Sequence, residues 1–588
     1  MLIVGITFAL VLMAFGRSLV QDFAPLDDDL LITRNLAVRG ITVEHVKTVF
    51  TTYDPELYIP LTFVSYQIDY LIGGLHPWIY HLTNILLHAG NAILIMWVMF
   101  LVTRKQWLSI FAGLIFAIHP LNTEAVVWLA GRKDLLSTMF FLGAWIAYIH
   151  FRRSRSIHSY AWSIIVFAMA LLSKVMAVTL PAILILTDFW IEKRKWSWSM
   201  LIDKIPHVAL SGIFLVVAAA GKERILSHHS IWETALMAAK STVFYLQKFV
   251  LPIHLGVFYP YRGEISLLLP AFFVPVIILL LIGILIITAT RYGRSEDSRG
   301  IIFGMLFFLI TLAPTFTNFH KGGEMYFASD RYPYLPMIGL LLLIVMSIDA
   351  AKRYFPEISR PRMAALGVPV IIILCSVSFL QTRIWDSART LFSNTLTLYP
   401  QSVAARSALA TMDKNEGRYE QAIKLLRDGL GYGDSVQLRM GLGTVYAKIG
   451  RVEDAADQFT QAMTLDPLNP EPLVALGVLD EYNKKIADAK EKYRRAVEMD
   501  SSYVSARNKL GSLLLEEGKI DEAEAQFRAA LAWNPNADGV LFNLSLVMDA
   551  RGDFAEALNL LEKAYALNPD SRAIETALIE HRKQEKSR

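Results

Sequence analysis

Apolar stretches long enough to cross a lipid bilayer recur along this chain from Met1 to about Thr382 and then stop. A transmembrane helix needs about 20 consecutive, mostly apolar residues. The composition agrees, because 54% of the 588 residues are hydrophobic and only 19% are charged, which is too apolar for a large soluble protein. We therefore predict an all-α fold whose first part, residues 1–383, is a polytopic bundle of membrane helices.

The apolar stretches predict about eleven membrane spans. Their approximate bounds are 2–20, 81–102, 108–129, 135–151, 160–173, 176–191, 205–220, 268–290, 300–318, 333–350 and 364–382. The first lacks a basic leader and an Ala-x-Ala cleavage site, so we interpret it as an uncleaved span. Segment 235–259 is also apolar, but it contains Lys240, Lys248 and His254. We interpret it as a re-entrant or surface-lying helix. A further span here would move every later loop to the opposite side of the membrane.

Basic residues in the connecting loops predict which side of the membrane each loop faces. Their clusters fall on alternate loops, and the positive-inside tendency makes those loops cytoplasmic. The clusters are Arg104 and Lys105; Arg152, Arg153 and Arg155; Lys193, Arg194 and Lys195; Arg291, Arg294 and Arg299; and Lys352, Arg353, Arg360 and Arg362. The long loop 21–80 and the C-terminal part of the chain then lie on the extracytoplasmic side. The short extracytoplasmic loops favour a bacterial inner membrane.

Charge and cysteine content argue against several classes of protein. The formal net charge is only +4, so no nucleic-acid partner is expected. The single cysteine, Cys375, allows neither an intrachain disulfide nor a cysteine-based metal site. A transporter should have ionisable residues at the bilayer midplane and repeated span patterns, and of these the sequence offers only Lys174.

The last third of the chain has a 34-residue period. The recurring positions are Gly443, Gly477, Gly511 and Ser545; Ala455, Ala489, Ala523 and Ala557; and Ala462, Ala496, Ala530 and Ala564, with Pro467, Pro535 and Pro569 closing units. Small residues where two helices cross, with a proline at the turn, are the tetratricopeptide signature. We predict a connector at 384–401 and, at 402–588, an α-solenoid of about five repeats with a capping helix. Such solenoids usually bind peptide or protein, and the alternative is a structural arm.

Three consecutive carboxylates, Asp27, Asp28 and Asp29, follow the first predicted span. Neighbouring carboxylates repel one another, and the low dielectric at a membrane boundary raises at least one of their pKa values, which suits a general base. The alternative is a solvated cap of the following helix.

Cations are predicted to reach the same side of the membrane as these carboxylates. Arg132, Lys174 and Arg331 together would form an anion site beside a base, as needed to hold a lipid phosphate while a hydroxyl attacks. The alternative for each cation, and for Lys133, is a side chain that extends along the membrane interface to reach water.

Several blocks of residues, in this order, carry a resemblance to a known family. They are Asp27-Asp28 with Ile32 and Asn35; Tyr58-x-Pro60-Leu61-Thr62; Gly73-x-Leu75-x-Pro77; Tyr80-His81-x-x-Asn84-x-x-x-His88; the stretch from His119 to Leu136; Asp330-Arg331-Tyr332-x-Tyr334-Leu335-Pro336; and Trp385. Together with the repeats they resemble the transmembrane and tetratricopeptide-repeat (TMTC) O-mannosyltransferases and their bacterial relatives. The resemblance implies a GT-C-class glycosyltransferase that uses a polyprenyl-phosphate-linked sugar on the extracytoplasmic side.

The resemblance also implies roles for individual residues. Asp27 or Asp28 would orient or deprotonate an acceptor hydroxyl, and Arg132, Lys174 and Arg331 would bind the donor phosphate, which leaves with inversion at the sugar. The residues implied in substrate binding are Asn35, His81, His119, Glu124, Asp330 and Tyr332. For the two histidines a buried, hydrogen-bonded role is the alternative, and Glu124 could instead pair with Arg132. The repeats would recruit a protein acceptor.

The resemblance implies no cofactor, and the polyprenyl-phosphate-linked sugar is the donor substrate. Asp27-x-Asp29 fits the D-x-D pattern of soluble glycosyltransferases, so these two residues are the expected ligands if a divalent metal takes part. Two other functions stay open. One is a non-catalytic membrane scaffold that assembles an envelope or secretion complex, and the other is a lipid-linked glycan ligase or polymerase.

Overall fold

The structure, a computed structural model, divides into two compact units. It describes residues 1–24, 26–53, 58–192, 198–221, 230–292, 295–321, 324–354 and 360–587. The first unit comprises Met1–Leu31 with Ala37–Tyr399, and the second comprises Ile32–Leu36 with Pro400–Arg588. The predicted cytoplasmic residues Lys193, Arg194, Lys195 and Arg294 lie outside the described residues.

Helices make up nearly all the regular structure of the first unit. They are α1 (Leu2–Phe15), α2 (Val43–Thr51), α3 (Pro60–Gly73), α4 (Pro77–Thr103), α5 (Gln106–Ile118), α6 (Thr123–Val127), α7 (Arg132–Ser154), α8 (Ile157–Ser173), α9 (Leu180–Leu186), α10 (Trp198–Ile202), α11 (Ile205–Gly221), α12 (Ile231–Val250), α13 (Pro270–Tyr292), α14 (Ser295–Leu312), α15 (Met337–Tyr354), α16 (Arg360–Thr382) and α17 (Ala388–Leu398). Short strands β1 (Tyr259–Pro260), β2 (His320–Lys321) and β3 (Glu324–Ala328) pair antiparallel in the order β1-β3-β2.

Several helices of this unit are long and apolar enough to cross a membrane. In the described part of the chain six qualify, or seven if the bent pair Gln106–Ile118 and Pro120–Val127 is one span. The six are Leu2–Val20, Pro77–Thr103, Leu129–Ser154, Pro270–Thr288, Arg299–Thr317 and Ala365–Asp386. The other predicted spans correspond to the shorter apolar helices Ile157–Ser173, Val175–Phe189 and Ile205–Gly221 and to α15. The helical membrane domain is thus confirmed, and the number of eleven spans stays a prediction.

Segment 235–259 contains most of α12. Helix α12 begins with a capping box, in which Ser230 and Glu233 each accept a backbone N–H of the other. It is not among the described helices that are apolar enough to span a membrane, because it carries Glu233, Lys240 and Lys248. Lys240 lies on aromatic rings, 4.8 Å from the centre of the Phe327 ring. Our interpretation as a re-entrant or surface-lying helix stays a prediction.

Helix α4 lies at the centre of the first unit, where it packs against α1, α5 and α7. It buries polar side chains as well as apolar ones. His88 Nε2 donates to the Ala117 carbonyl at 3.1 Å, which leaves Nδ1 to accept from the Tyr334 hydroxyl at 2.8 Å. Asn91 Nδ2 donates to the same hydroxyl at 3.1 Å. Because buried polar groups are costly unless they are paired, these bonds fix α4 against α5 and the segment before α15.

The second unit is a series of helix pairs. Its helices are α18 (Val403–Asn415), α19 (Tyr419–Leu430), α20 (Val436–Lys448), α21 (Val452–Leu465), α22 (Glu471–Tyr482), α23 (Ile486–Met499), α24 (Val504–Glu516), α25 (Ile520–Trp533), α26 (Asp538–Arg551), α27 (Phe554–Leu567) and α28 (Arg572–Ser587). The periodic glycines explain the close packing within pairs. A Cβ atom at Gly477 would lie 2.6 Å from the Tyr493 ring, and one at Gly511 would lie 2.7 Å from the Phe527 ring. The predicted α-solenoid is therefore confirmed.

Candidate active site

The Asp28 side chain fastens the loop after the first span to the start of α7. Its carboxylate is fully buried. Oδ1 accepts the Ala130 backbone N–H at 2.8 Å, and Oδ2 accepts the Ala24 backbone N–H at 2.9 Å. Burial raises the pKa of Asp28 to about 7, even though both hydrogen bonds favour the charged form. Asp28 therefore ionises near neutral pH, and both of its carboxylate oxygens accept backbone N–H groups.

Asp27, the neighbouring carboxylate, is the more accessible of the two. Its side chain is 32% exposed, and Oδ2 lies 3.9 Å from Nζ of Lys133, whose side chain is only 4% exposed. The Lys133 ammonium also lies 5.1 Å from the centre of the Trp128 ring. Asp27 thus combines exposure to an incoming molecule with a buried cation that stabilises its charged form.

The buried Glu124 carboxylate forms an ion pair with the largely buried Arg331, close to these residues. Arg331 donates to the Glu124 carboxylate through Nη1 at 2.5 Å and through its backbone N–H at 3.1 Å, and the Ser329 hydroxyl donates to it at 2.9 Å. The guanidinium carbon of Arg331 lies 4.8 Å from the centre of the Trp128 ring and 5.2 Å from that of Tyr332. The pair therefore holds Arg331 beside the same indole as Lys133.

Lys174 adds a third cation. Its ammonium contacts the carboxylate of Asp134, two residues after Arg132 on α7. Lys133, Lys174 and Arg331 all interact electrostatically with one another. The structure thus brings together Asp27, Glu124, Lys174, Arg331 and Tyr332 of the predicted site, and adds Trp128, Lys133 and Asp134 to them.

Arg132 lies in a different network, within the helix bundle. It is fully buried and forms an ion pair with Asp69 of α3. Its Nε donates to Asn84 Oδ1 at 2.8 Å and its Nη2 to the Tyr80 carbonyl at 2.7 Å, both on α4. The alternative in which Glu124 pairs with Arg132 is therefore wrong, because Glu124 pairs with Arg331 and Arg132 pairs with Asp69. Phosphate binding by Arg132 stays a prediction, with its guanidinium already committed to α3 and α4.

The remaining predicted residues are buried at separate places. His119 accepts the Leu121 backbone N–H at Nδ1, so its Nε2 donates to the Phe249 carbonyl at 3.0 Å. Asp330 accepts the Tyr259 hydroxyl at 2.7 Å, and burial raises its pKa well above the usual range. His81 is buried on α4, and Asn35 is buried in the segment Ile32–Leu36. Their predicted contacts with substrate stay predictions.

No metal is predicted from the sequence, and Asp27 and Asp29 are the expected ligands only if a divalent metal takes part. Across the described ranges, no three His, Cys, Asp or Glu side chains come together in an arrangement that could hold a metal ion. The cation that lies beside Asp27 is Lys133.

Comparison with known proteins gives three relatives of interest. Human protein O-mannosyl-transferase TMTC3 is 24% identical over 456 residues, which are 70% of this chain and 48% of the relative. Human TMTC1 is 22% identical over 479 residues, 71% of this chain and 54% of the relative. Human TMTC2 is 38% identical over 105 residues, 18% of this chain and 13% of the relative. The chain thus spans about half the length of TMTC3 and of TMTC1.

The tetratricopeptide-repeat family models match residues 414–470 and 502–570. Two solved repeat proteins are each similar to about a third of the chain. The TPR protein YrrB is 23% identical, covering 32% of this chain and 96% of its own, with a TM-score of 0.22. TTC0263 of Thermus thermophilus is 18% identical, covering 31% and 98%, with a TM-score of 0.27.

Fold and sequence together define a class of protein, a polytopic helical membrane protein with a C-terminal tetratricopeptide-repeat domain. Within that class, the chain is a homologue of the TMTC O-mannosyltransferases, as the sequence motifs predict.

The sequence places Lys133, in the same block as Trp128, on the side of the carboxylates, but assigns neither residue a role in the site. Both stand in the block from His119 to Leu136, and Lys133 follows Arg132 directly. Successive residues on a helix point about 100° apart, so only one of two adjacent cations can face a given site. The signal that could have separated them is Asp69, a carboxylate within an apolar helix that requires a buried partner.

We expect Arg132→Met to destabilise the first unit by about 3–5 kcal/mol, because it leaves Asp69 buried without a counter-charge. The double variant Arg132→Met with Asp69→Leu should recover much of this loss. The measurement is denaturant unfolding in mixed micelles, followed by far-ultraviolet circular dichroism. A single variant that unfolds at the wild-type denaturant concentration would contradict the role given to this ion pair.

Proposed function

We propose that this protein is a GT-C-type glycosyltransferase that moves a sugar from a polyprenyl-phosphate-linked donor to a hydroxyl of a protein acceptor. The observation that carries the proposal is the partly exposed Asp27 carboxylate beside the buried Lys133 ammonium, with the largely buried cations Lys174 and Arg331 close by. A base next to bound positive charge is what the displacement of a phosphate by a hydroxyl requires. The relatives' name, protein O-mannosyl-transferase, supports the same class of reaction.

In the proposed reaction, Asp27 accepts the proton of the acceptor hydroxyl. The hydroxyl oxygen forms a bond to the anomeric carbon, the bond from that carbon to the phosphate oxygen breaks, and its electron pair leaves with the polyprenyl phosphate. Attack opposite the leaving group inverts the configuration of the sugar. Arg331 and Lys174 stabilise the phosphate, and Glu124 and Asp134 hold these two cations in place.

Asp28 has a different part in this proposal. Both of its oxygens hold backbone N–H groups, so it positions the loop that carries Asp27. Protonation below about pH 7 would weaken these bonds, because the charged carboxylate is the stronger acceptor. Transfer should therefore decline as the pH falls below this value, and assays of other residues belong at pH 8.

The proposal includes no metal cofactor, since Lys133 already supplies positive charge next to Asp27. Protein binding is the usual use of tetratricopeptide repeats, and we assign to this unit the recruitment of the acceptor. We place the site and the repeats on the extracytoplasmic side, on the basis of the basic loops of the membrane domain.

The first test is transfer of labelled sugar from polyprenyl-phosphate sugars to envelope protein by membranes at pH 8. We expect Asp27→Asn to lose about 100-fold or more of the transfer, which is the usual contribution of a general base. The matched control is Asp22→Asn, because Asp22 is an exposed carboxylate on the same loop that accepts its neighbour's N–H at 2.8 Å. Unchanged transfer by Asp27→Asn at equal protein level would favour the scaffold function instead.

The second test is the side of the repeats. In a Cys375→Ser background, a cysteine at the exposed position Thr460 should react with a membrane-impermeant thiol reagent in intact cells or spheroplasts. A cysteine at Ser154, an exposed position of a predicted cytoplasmic loop, should react only after lysis. The opposite pattern would show that the predicted orientation is wrong.

A further inference from the structure

The Lys133 ammonium is buried and has few polar partners. In the part of the chain that the structure describes, its ammonium donates no hydrogen bond, and the carboxylate within 4 Å of it is that of Asp27, at 3.9 Å. A lysine ammonium has three N–H groups, and a buried charge is costly unless it is paired and hydrogen-bonded. Lys133 therefore has capacity for a second anion.

Trp128 has an unpaired donor at the same place. Its side chain is buried, and within the described ranges its indole Nε1–H has no hydrogen-bond partner. Its ring lies about 5 Å from both Lys133 and Arg331. A buried Trp N–H usually finds a partner, so an acceptor that enters this cluster would satisfy it.

The start of α7 adds to this anion preference. Lys133 lies in the first turn of the helix, where the positive end of the helix dipole opposes a cation and favours an anion. A lysine at this position therefore destabilises the helix. A negative group close to the ammonium offsets this destabilisation.

We infer that Lys133 and the Trp128 indole N–H bind the leaving phosphate, and that Lys133 exchanges its counter-ion from Asp27 to that phosphate during transfer. The inference rests on the proposed function and adds two residues to it.

The charges balance at each stage of this exchange. Before reaction, Asp27 carries one negative charge and the donor phosphodiester carries another. When the acceptor's proton moves to Asp27, that carboxyl becomes neutral, and the released polyprenyl phosphate becomes a monoester with close to two negative charges at pH 8. The total charge is unchanged, and the negative charge has moved from one side of Lys133 to the other. The lysine thereby couples proton uptake by the base to departure of the phosphate.

The test is equilibrium binding of radiolabelled polyprenyl monophosphate to the purified full-length protein in detergent at pH 8. Asp27→Asn mimics the protonated base and releases Lys133, so we expect it to bind the monophosphate about threefold to tenfold more tightly than wild type. Lys133→Met should remove this gain when combined with Asp27→Asn. Trp128→Phe, which keeps the ring and loses the N–H, should weaken binding about tenfold.

Matched variants control for general damage. Lys133→Arg keeps the charge and should preserve the gain in the Asp27→Asn background. Trp107→Phe, at an exposed position of α5, and Asp22→Asn should leave binding unchanged. The inference is overturned if Asp27→Asn binds no more tightly than wild type, if the gain persists without Lys133, or if wild type does not bind the monophosphate. The comparison of Asp27→Asn with wild type needs no buried residue to be changed.

Binding and transfer fail independently of each other. If sugar transfer depends on Asp27 but Asp27→Asn does not bind the monophosphate more tightly, the inference is wrong and the proposed function stands. The binding gain without any sugar transfer sinks the proposed function and leaves a polyprenyl-phosphate site.

Discussion

The buried ion pair between Arg132 and Asp69 fixes the start of α7, and the candidate site depends on that position. Arg132 also donates to Asn84 and to the Tyr80 carbonyl, so one guanidinium joins α3, α4 and α7. Gly131, just before it, lies so close to α6 that a Cβ atom there would be 2.5 Å from the Ala125 carbonyl oxygen. These contacts leave α7 little freedom to rotate or shift. The residues next to Arg132 are therefore held in fixed directions.

Those directions assign different partners to neighbouring residues. The Ala130 backbone N–H holds Asp28, Lys133 lies beside Asp27, and Asp134 contacts Lys174. The short stretch 130–134 thus contacts the loop after the first span, the helix bundle and Lys174. The arrangement separates two adjacent carboxylates into two roles. Asp28 holds backbone, and Asp27 keeps the exposure that a reacting base needs.

Most of the fold follows from patterns that the sequence displays directly. Apolar stretches of span length predict the helical membrane unit, and the 34-residue period predicts the repeats, because each reflects burial that recurs at a fixed spacing. The different roles of the residues within the site do not follow from such patterns. Asp27 and Asp28 are identical in type, and only the fold shows that one of them is buried against Ala130.

The cations illustrate the same limit. Arg132 and Lys133 are adjacent in sequence, and the sequence favours the arginine as the phosphate ligand. In the structure the Arg132 side chain lies within the helix bundle, where it contacts Asp69 and Asn84. The Lys133 side chain lies beside Asp27. Pairings such as Glu124 with Arg331 join residues about two hundred positions apart, and no local pattern predicts which of several cations takes a buried carboxylate.

The central claim is that Asp27 acts as a base in a direct displacement at the anomeric carbon. The most direct measurement is the anomeric configuration of the sugar on the acceptor, determined by nuclear magnetic resonance after transfer from a synthetic polyprenyl-phosphate sugar of defined configuration. We expect inversion, because the acceptor oxygen attacks opposite the leaving phosphate. Retention would contradict it, since attack opposite the leaving phosphate cannot retain the configuration of the anomeric carbon.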